Sequence, residues 1–147
     1  MNIAELLSNH KVAELKRALA DQKSILIEEL WNSPKALIAS IAQDATGKNV
    51  LILTGASQEE ARLFHDFAFF TNRPVIDFPA WETLPSENVP PSPDIVGDRY
   101  QVLKQIEQDS QPKIILSSLQ ACLQKLLPPV VRYRELGQFC FCCYRSS

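Results

Sequence analysis

The sequence predicts an α/β domain in which a parallel sheet of about four strands is flanked by helices on both faces. The main observation is that short apolar segments alternate with helical patterns at the spacing of βαβ units. These segments are Ser24–Ile27, Asn49–Leu53, Pro74–Phe78 and Lys113–Leu116. In addition, 147 residues of which 46% are hydrophobic suffice for one domain with its own core.

Charge and hydropathy narrow the possible functions. The formal net charge of −2 gives no general electrostatic attraction to nucleic acid, which is bound through clustered lysine and arginine. The chain has no apolar stretch of the roughly 18 residues that a membrane span needs, and its N-terminus lacks the apolar core of a signal peptide. We therefore expect a cytoplasmic protein with no membrane contact and no strong nucleic-acid binding.

The cysteines indicate neither a disulfide scaffold nor a metal site. Cys122 falls in a helical pattern, whereas Cys140, Cys142 and Cys143 are crowded near the C-terminus. A secreted scaffold spreads its cysteines along the chain, so reduced thiols in a cytoplasm fit better. Zinc sites use paired C-x-x-C motifs or nearby histidines, and the only histidines are the distant His10 and His65. We predict no metal, and the sequence assigns no role to the three C-terminal cysteines.

The chain opens with amphipathic helices in residues 1–23. Apolar residues recur three and four apart in Ile3–Leu7 and again in Val12–Leu19, with charged residues around the remaining faces. The first strand, Ser24–Ile27, is predicted to be buried. It is followed by a helix in which Ser33 is a good N-cap and Pro34 occupies the first helical position.

A strand, a loop and a helix that begins with lysine form the setting of a phosphate-binding loop. That motif requires glycine, four residues, glycine, lysine, and then serine or threonine. Aligned on Lys35, the two glycines are replaced by Glu29 and Pro34, and the hydroxyl residue by Ala36. Glu29 brings negative charge, Pro34 removes a backbone N–H, and Ala36 cannot ligate magnesium. The sequence therefore predicts that this site binds no nucleotide.

Two further strand–helix units complete the pattern. Ser57, followed by acidic residues, predicts a helix to about Phe70, and the residues expected to face the core are Ala61, Phe64, Phe67 and Ala68. His65 on this helix could be catalytic, but no serine or cysteine partner is indicated, and a surface histidine is the simpler interpretation. Later helices are predicted from Ser92 onward and over Leu119–Leu127.

Between the third strand and the next helix lies a proline-rich segment with one tryptophan. Proline lacks the N–H that a helix or a central strand needs, so the stretch Phe78–Leu103, which contains this segment, cannot be one regular element. Connections of this length within a compact domain are usually functional or disordered. The simplest alternative is a surface loop with Trp81 packed back onto its own core.

The order of residues around this segment resembles a known family. FPAWETLP, a proline-rich stretch, SPDIVGDRYQVL, the KIIL strand and the QACLQKLLPP helix are similar to the N-terminal module of the bacterial transcription-repair coupling factor, also called Mfd. That module resembles the first domain of the helicase-like repair protein UvrB. The resemblance spans residues 24–129 and implies a P-loop NTPase or helicase-like fold with a decayed nucleotide site.

The resemblance also implies what the intact family does. Its members release RNA polymerase stalled at a DNA lesion with an ATP-driven translocase that uses ATP and Mg, and they recruit UvrA for nucleotide excision repair. The motor and the regions that bind polymerase and UvrA correspond to no part of this chain. UvrB has a long DNA-threading hairpin, but the space between Trp81 and Arg99 is too short for one. Residues 130–147 do not resemble the family, and we expect an irregular tail of a truncated or frame-shifted product rather than of a short paralogue.

Two functions are therefore expected. The first is a non-catalytic module that contacts the remaining domains of a coupling factor; its candidate interface residues are Pro79, Trp81, Leu84, Pro85 and Arg99. In this case the chain has no catalytic residue and no cofactor of its own. The alternative is a small stand-alone α/β enzyme that binds a nucleotide or a phosphate, which would have to use the degenerate site at Lys35.

Overall fold

The structure, a computed structural model, describes residues 8–30, 32–55, 57–83, 89–124 and 139–142. The helices are α1 (His10–Ala20), α2 (Pro34–Thr46), α3 (Ser57–Phe70), α4 (Pro93–Gln108) and α5 (Leu119–Leu123). The strands are β1 (Val50–Thr54), β2 (Val75–Phe78), β3 (Ile114–Ser118) and β4 (Phe139–Cys142).

Strands β2, β3 and β1 form a parallel sheet in that order. Ile114 of β3 is in register with Val50 of β1 on one side and Val75 of β2 on the other. The predicted α/β class, with a parallel sheet flanked by helices, is therefore confirmed on these three strands. The backbone of β4 pairs in parallel with the other side of β1.

The first face of the sheet is covered by α1, α2 and α3. Alternate residues of the central strands point to this face, because side chains alternate across a strand. The buried cluster consists of Leu19, Ala36, Ala39, Ala42, Val50, Ile52, Leu63, Phe67, Ile114 and Leu116. The small alanines of α2 allow that helix to lie close to the sheet.

The second face is covered by α4 and α5. Phe78, Val102, Ile115 and Ala121 form its buried cluster, and Leu51, Ile76, Ala80, Leu103 and Ile106 pack against it. The helices that follow β1 and β3, which are neighbouring strands, thus lie on opposite faces. In parallel sheets a crevice opens at the carboxyl ends of such strands, and ligands bind there preferentially.

Local signals explain where the helices begin and end. Asn9 caps α1 by accepting a hydrogen bond from the backbone N–H of Lys11, and Ser118 caps α5 by accepting one from Ala121. Pro34 occupies the start of α2, although Ser33 makes no side-chain cap. Gly47 ends α2 in the left-handed conformation with φ of 64°, which confirms the predicted C-cap.

The prediction of a strand at Ser24–Ile27 is wrong. These residues form no regular element and pair with no strand, and Leu26 is 84% exposed. The apolar, β-branched composition fits a strand, but a strand exists only where a neighbour supplies its ladder. The two sides of β1 are already taken by β3 and β4.

The predicted core face of α3 is wrong except at Phe67. Leu63 and Phe67 are buried, whereas Ala61, Phe64 and Ala68 lie on the exposed side of the helix. The helix has apolar residues on both faces, so its periodicity does not say which face packs. The core cluster of the first face contains Leu63 and Phe67, which are four residues apart and therefore share one side of the helix.

The remaining predictions fall wholly or partly outside the described residues. Ile3–Leu7 and Leu84–Pro85 lie outside the described residues, and so does most of the predicted tail at 130–147, apart from the backbone of β4. The predicted helix Leu119–Leu127 is described as α5 to Leu123. Among the helices that are described, none is long and apolar enough to cross a membrane.

Candidate functional site

Lys35, in the first turn of α2, is held in an ion pair. Its Nζ donates to Oε1 of Glu59, which lies in the first turn of α3, and both side chains are about two-thirds or more buried. The residues before α2 follow an irregular path on which Glu29 and Asn32 have positive φ angles of 59° and 57°. Lys35, the lysine of the predicted phosphate motif, is therefore paired with a carboxylate of a neighbouring helix.

Arg99 is the centre of a second arrangement, on the α4 face of the sheet. It is 1% exposed. Its Nη1 donates to the carbonyl of Pro79 at 2.6 Å and to Oε1 of Gln124 at 3.3 Å, and its Nη2 donates to the carbonyl of Ala121 at 3.1 Å. One guanidinium thus joins α4, α5 and the segment that follows β2.

Two aromatic rings and Gln124 complete this arrangement. The guanidinium carbon of Arg99 lies 4.3 Å from the ring centroid of Phe78 and 5.3 Å from that of Trp81. The backbone N–H of Trp81 donates to Gln124 Oε1 at 2.6 Å, and Gln124 Nε2 donates to the backbone carbonyl of Trp81 at 3.3 Å. We call Phe78, Pro79, Trp81, Arg99 and Gln124 the Arg99 clasp.

The charge of Arg99 has no carboxylate partner among the described residues. Burial lowers the pKa of the guanidinium, and the nearby Cys122 acts in the opposite direction. Carbonyl oxygens and ring faces stabilise the cation instead, and only Nε lacks a hydrogen-bond partner. Of the predicted interface residues, the structure therefore brings together Pro79, Trp81 and Arg99.

A third group, which the sequence analysis missed, lies at the carboxyl edge of the first face. Glu60 of α3 is 7% exposed, and its Oε1 has no hydrogen-bond partner. Burial and then repulsion from Asp77 raise the pKa of Glu60 to about 7, although a hydrogen bond from the Ser118 backbone acts against this. Burial also raises the pKa of Asp77. The available signal was a polar residue at the end of each apolar strand.

The other candidates stay apart from these groups. His65 is exposed on α3, where its ring makes an edge contact with Phe64 at 6.5 Å. Cys122 is exposed and its thiol lies 3.5 Å from the Ser117 hydroxyl. The described part of the chain contains no group of three histidine, cysteine, aspartate or glutamate residues that could hold a metal ion.

Comparison with known proteins gives one informative similarity. The chain is 28% identical over 109 residues to the transcription-repair-coupling factor of Escherichia coli strain K12. The match covers 74% of this chain but only 9% of that protein. No family model matches the sequence. The similarity supports a relation to a region of the coupling factor.

Proposed function

We propose that this chain is a non-catalytic protein-interaction module, related to the N-terminal UvrB-like region of the transcription-repair coupling factor. Its partner is the rest of such a protein, because the similar protein is many times longer than the matched region. In this proposal the fold descends from a P-loop domain with a degenerate nucleotide site. UvrA and RNA polymerase would be contacted only through domains outside this chain.

The observation that supports this role best is the rigid presentation of Trp81. The Arg99 clasp holds both backbone polar groups of Trp81 and one face of its ring, while the side chain remains partly exposed. Leu119 and Leu123, which are four residues apart on α5, are 52% and 77% exposed, and Gln124 at the end of that helix contacts Trp81. Preorganised aromatic and aliphatic side chains are typical anchors of protein interfaces.

Trp81→Ala tests this proposal. Its side chain makes no hydrogen bond in the described contacts, so the substitution leaves the bonds between Trp81 and Gln124 in place. We expect binding to an E. coli coupling factor that lacks the matched segment to weaken about tenfold or more in calorimetry, with little change in melting temperature. A large loss of stability with unchanged binding would instead show that Trp81 only fastens its own loop.

Phe69→Ala is the matched control for that experiment. Phe69 is 75% exposed at the far end of α3, on the opposite edge of the sheet. Its replacement removes a comparable exposed aromatic ring without touching the Arg99 clasp. Equal loss of binding in both variants would contradict an interface at the carboxyl edge.

The mass of the native product shows whether the chain is a free module or part of a larger protein. An immunoblot against residues 24–129, followed by mass spectrometry, gives that size directly. A product near 16.6 kDa would make the chain a free binding module. A product several-fold larger would assign its role to a whole coupling factor.

The alternative of a stand-alone nucleotide- or phosphate-binding enzyme has a specific obstacle in the structure. Its essential cation, Lys35, is already neutralised by Glu59. A phosphate would have to displace that carboxylate and also approach Glu29 and Pro34 in place of the glycines. Micromolar ATP binding in calorimetry would favour the enzyme over the module.

A further inference from the structure

A polar layer closes the carboxyl edge of the sheet on its first face. Thr54 and Ser118 follow the buried Ile52 and Leu116 by two residues, and Asp77 follows Val75 by two, so all three point to this face. Glu60 lies above them on the first turns of α3. The layer occupies the crevice between β1 and β3, whose following helices lie on opposite faces.

Glu60 is buried in this layer with unused hydrogen-bonding capacity. Its residue is more than nine-tenths buried, yet Oε1 has no partner, and an unpaired buried acceptor is costly. Thr54 does not satisfy it, because the threonine hydroxyl donates to the Ser117 carbonyl at 3.5 Å. The Ser118 hydroxyl accepts from the N–H of Ala121, and it makes no hydrogen bond to Glu60 Oε1.

No basic side chain of the described residues forms an ion pair with Glu60 or Asp77. The nearest charged pair along α3, Lys35 with Glu59, is already complete. Asp77 is exposed at the end of β2, whereas Glu60 lies inside. Glu60 and Asp77 are two carboxyl groups that repel each other, so a cation placed between them would bring a favourable interaction.

We propose that Glu60 and Asp77 receive a lysine or arginine side chain of the protein that docks on the carboxyl edge. This inference rests on the proposed function and names the chemistry of its partner. A basic side chain fits better than a metal ion, because the described residues contain no group of three or more histidine, cysteine, aspartate or glutamate side chains that could hold a metal ion.

Binding of a cation requires ionised Glu60, and this gives the site a pH dependence. The groups facing Glu60 are Asp77 of β2 and the Ser118 backbone of β3, while Lys35 of α2 is paired with Glu59. With a pKa of about 7, Glu60 is mostly protonated at pH 6 and mostly ionised at pH 8. Affinity for the cation should therefore be about tenfold higher at pH 8 than at pH 6.

The test uses the 147-residue chain and ethylguanidinium chloride as a probe for an arginine side chain. Carboxyl-carbon NMR follows the titration of Glu60 with ethylguanidinium, sodium or magnesium chloride at matched ionic strength. We expect ethylguanidinium to lower the pKa of Glu60 more than sodium does, and the Glu60 response to be absent in Glu60→Gln. Asp77→Asn, an exposed substitution that preserves the fold, should weaken the ethylguanidinium effect.

Glu59→Gln is the matched control, because it removes the neighbouring carboxylate that already has a partner. It should leave the ethylguanidinium effect at Glu60 intact. Equal shifts with sodium and ethylguanidinium, or no shift at all, would overturn the proposal, and a larger shift with magnesium would replace it by a metal site. Since the probe acts on the isolated chain, these results are independent of whether Trp81 contributes to binding the coupling factor.

Discussion

Two charged residues are buried at the carboxyl edge of the sheet, one on each face, and their surroundings are opposite. Arg99 donates three hydrogen bonds and lies against two aromatic rings. Glu60 has an unpartnered oxygen, and a second carboxylate repels it. Both residues are less than a tenth exposed.

The difference shows that burial of a charge does not by itself reveal its role. A buried group that its own domain satisfies holds that domain together, and its removal leaves acceptors unpaired. A buried group that its own domain leaves unsatisfied lowers stability, and it is better explained by a ligand that arrives from outside. We therefore expect Arg99 to stabilise its own domain, in contrast to the recognition role that we propose for Glu60.

The largest effect is expected for Arg99→Ala. The substitution leaves the Pro79 and Ala121 carbonyls without their donor and creates a cavity between the rings of Phe78 and Trp81. We expect the free energy of unfolding to fall by about 3 to 4 kcal/mol in urea denaturation. Arg99→Lys should recover only part of this, because an ammonium cannot reach separate acceptors as a planar guanidinium does.

Arg73→Ala is the control for the loss of an arginine. Arg73 pairs with Asp44 at 3.1 Å, and both side chains are largely exposed. An exposed pair contributes about 0 to 1 kcal/mol, so the loss should be several-fold smaller. Comparable losses at both positions would contradict the special role of the Arg99 clasp.

Glu60→Gln should have the next largest effect, with the opposite sign. Because the folded-state pKa is raised from 4.5 to about 7, the protonated carboxyl favours folding, and this stability is lost as the pH rises through that window. The variant stays neutral, so at pH 8 it should be more stable than the parent by about 2 kcal/mol, after allowance for nearby solvent. Below pH 4.5 the two proteins should unfold at similar urea concentrations.

The pH dependence of unfolding tests directly whether Glu60, unlike Arg99, is unsatisfied. If urea unfolding of the parent is independent of pH between 5 and 8, Glu60 has a satisfied carboxylate in solution, and the two buried charges are equivalent after all. The variant Asp77→Asn should reduce the pH dependence of the parent without removing it, because repulsion is the smaller cause of the Glu60 shift.

The sequence predicted the second to fourth strands, the helices between them and the Gly47 cap because these follow from local rules. Alternation of apolar segments predicts parallel strands, and a left-handed residue after a helix favours glycine. The predicted strand at Ser24–Ile27 failed because composition does not say whether a pairing partner is free. The prediction of which face of α3 is buried was wrong because that helix is apolar on both faces.

Less of the candidate site could be predicted. Residue order singled out Pro79, Trp81 and Arg99, but not Gln124, which lies 25 residues beyond Arg99 and meets it only after folding. Glu60 was interpreted as an acidic residue that favours a helix start. Its burial depends on how α3 packs over β2 and β3, and a single sequence does not encode that in any local pattern.

Gln124→Ala tests how much the Gln124 side chain contributes to the Arg99 clasp, and its effect should be smaller than that of Arg99→Ala. The substitution removes two hydrogen bonds to the backbone of Trp81 and one acceptor of Arg99, but the Pro79 and Ala121 carbonyls still accept from the guanidinium. We expect a loss of about 1 kcal/mol in urea unfolding, together with faster hydrogen exchange at the Trp81 amide. Unchanged exchange there would show that Gln124 does not hold the loop.

The smallest effect is expected for Lys35→Met, which asks whether the lysine beside α3 contributes to the environment of Glu60. Lys35 pairs with Glu59 and is not among the causes of the Glu60 pKa shift. We therefore expect a stability loss below about 1 kcal/mol and a Glu60 pKa that stays about 7 in carboxyl NMR. A marked rise in that pKa would mean that Lys35 already serves as the cation of the acidic pair. In that case the external basic side chain would have no place, and Glu60, like Arg99, would be satisfied by its own domain.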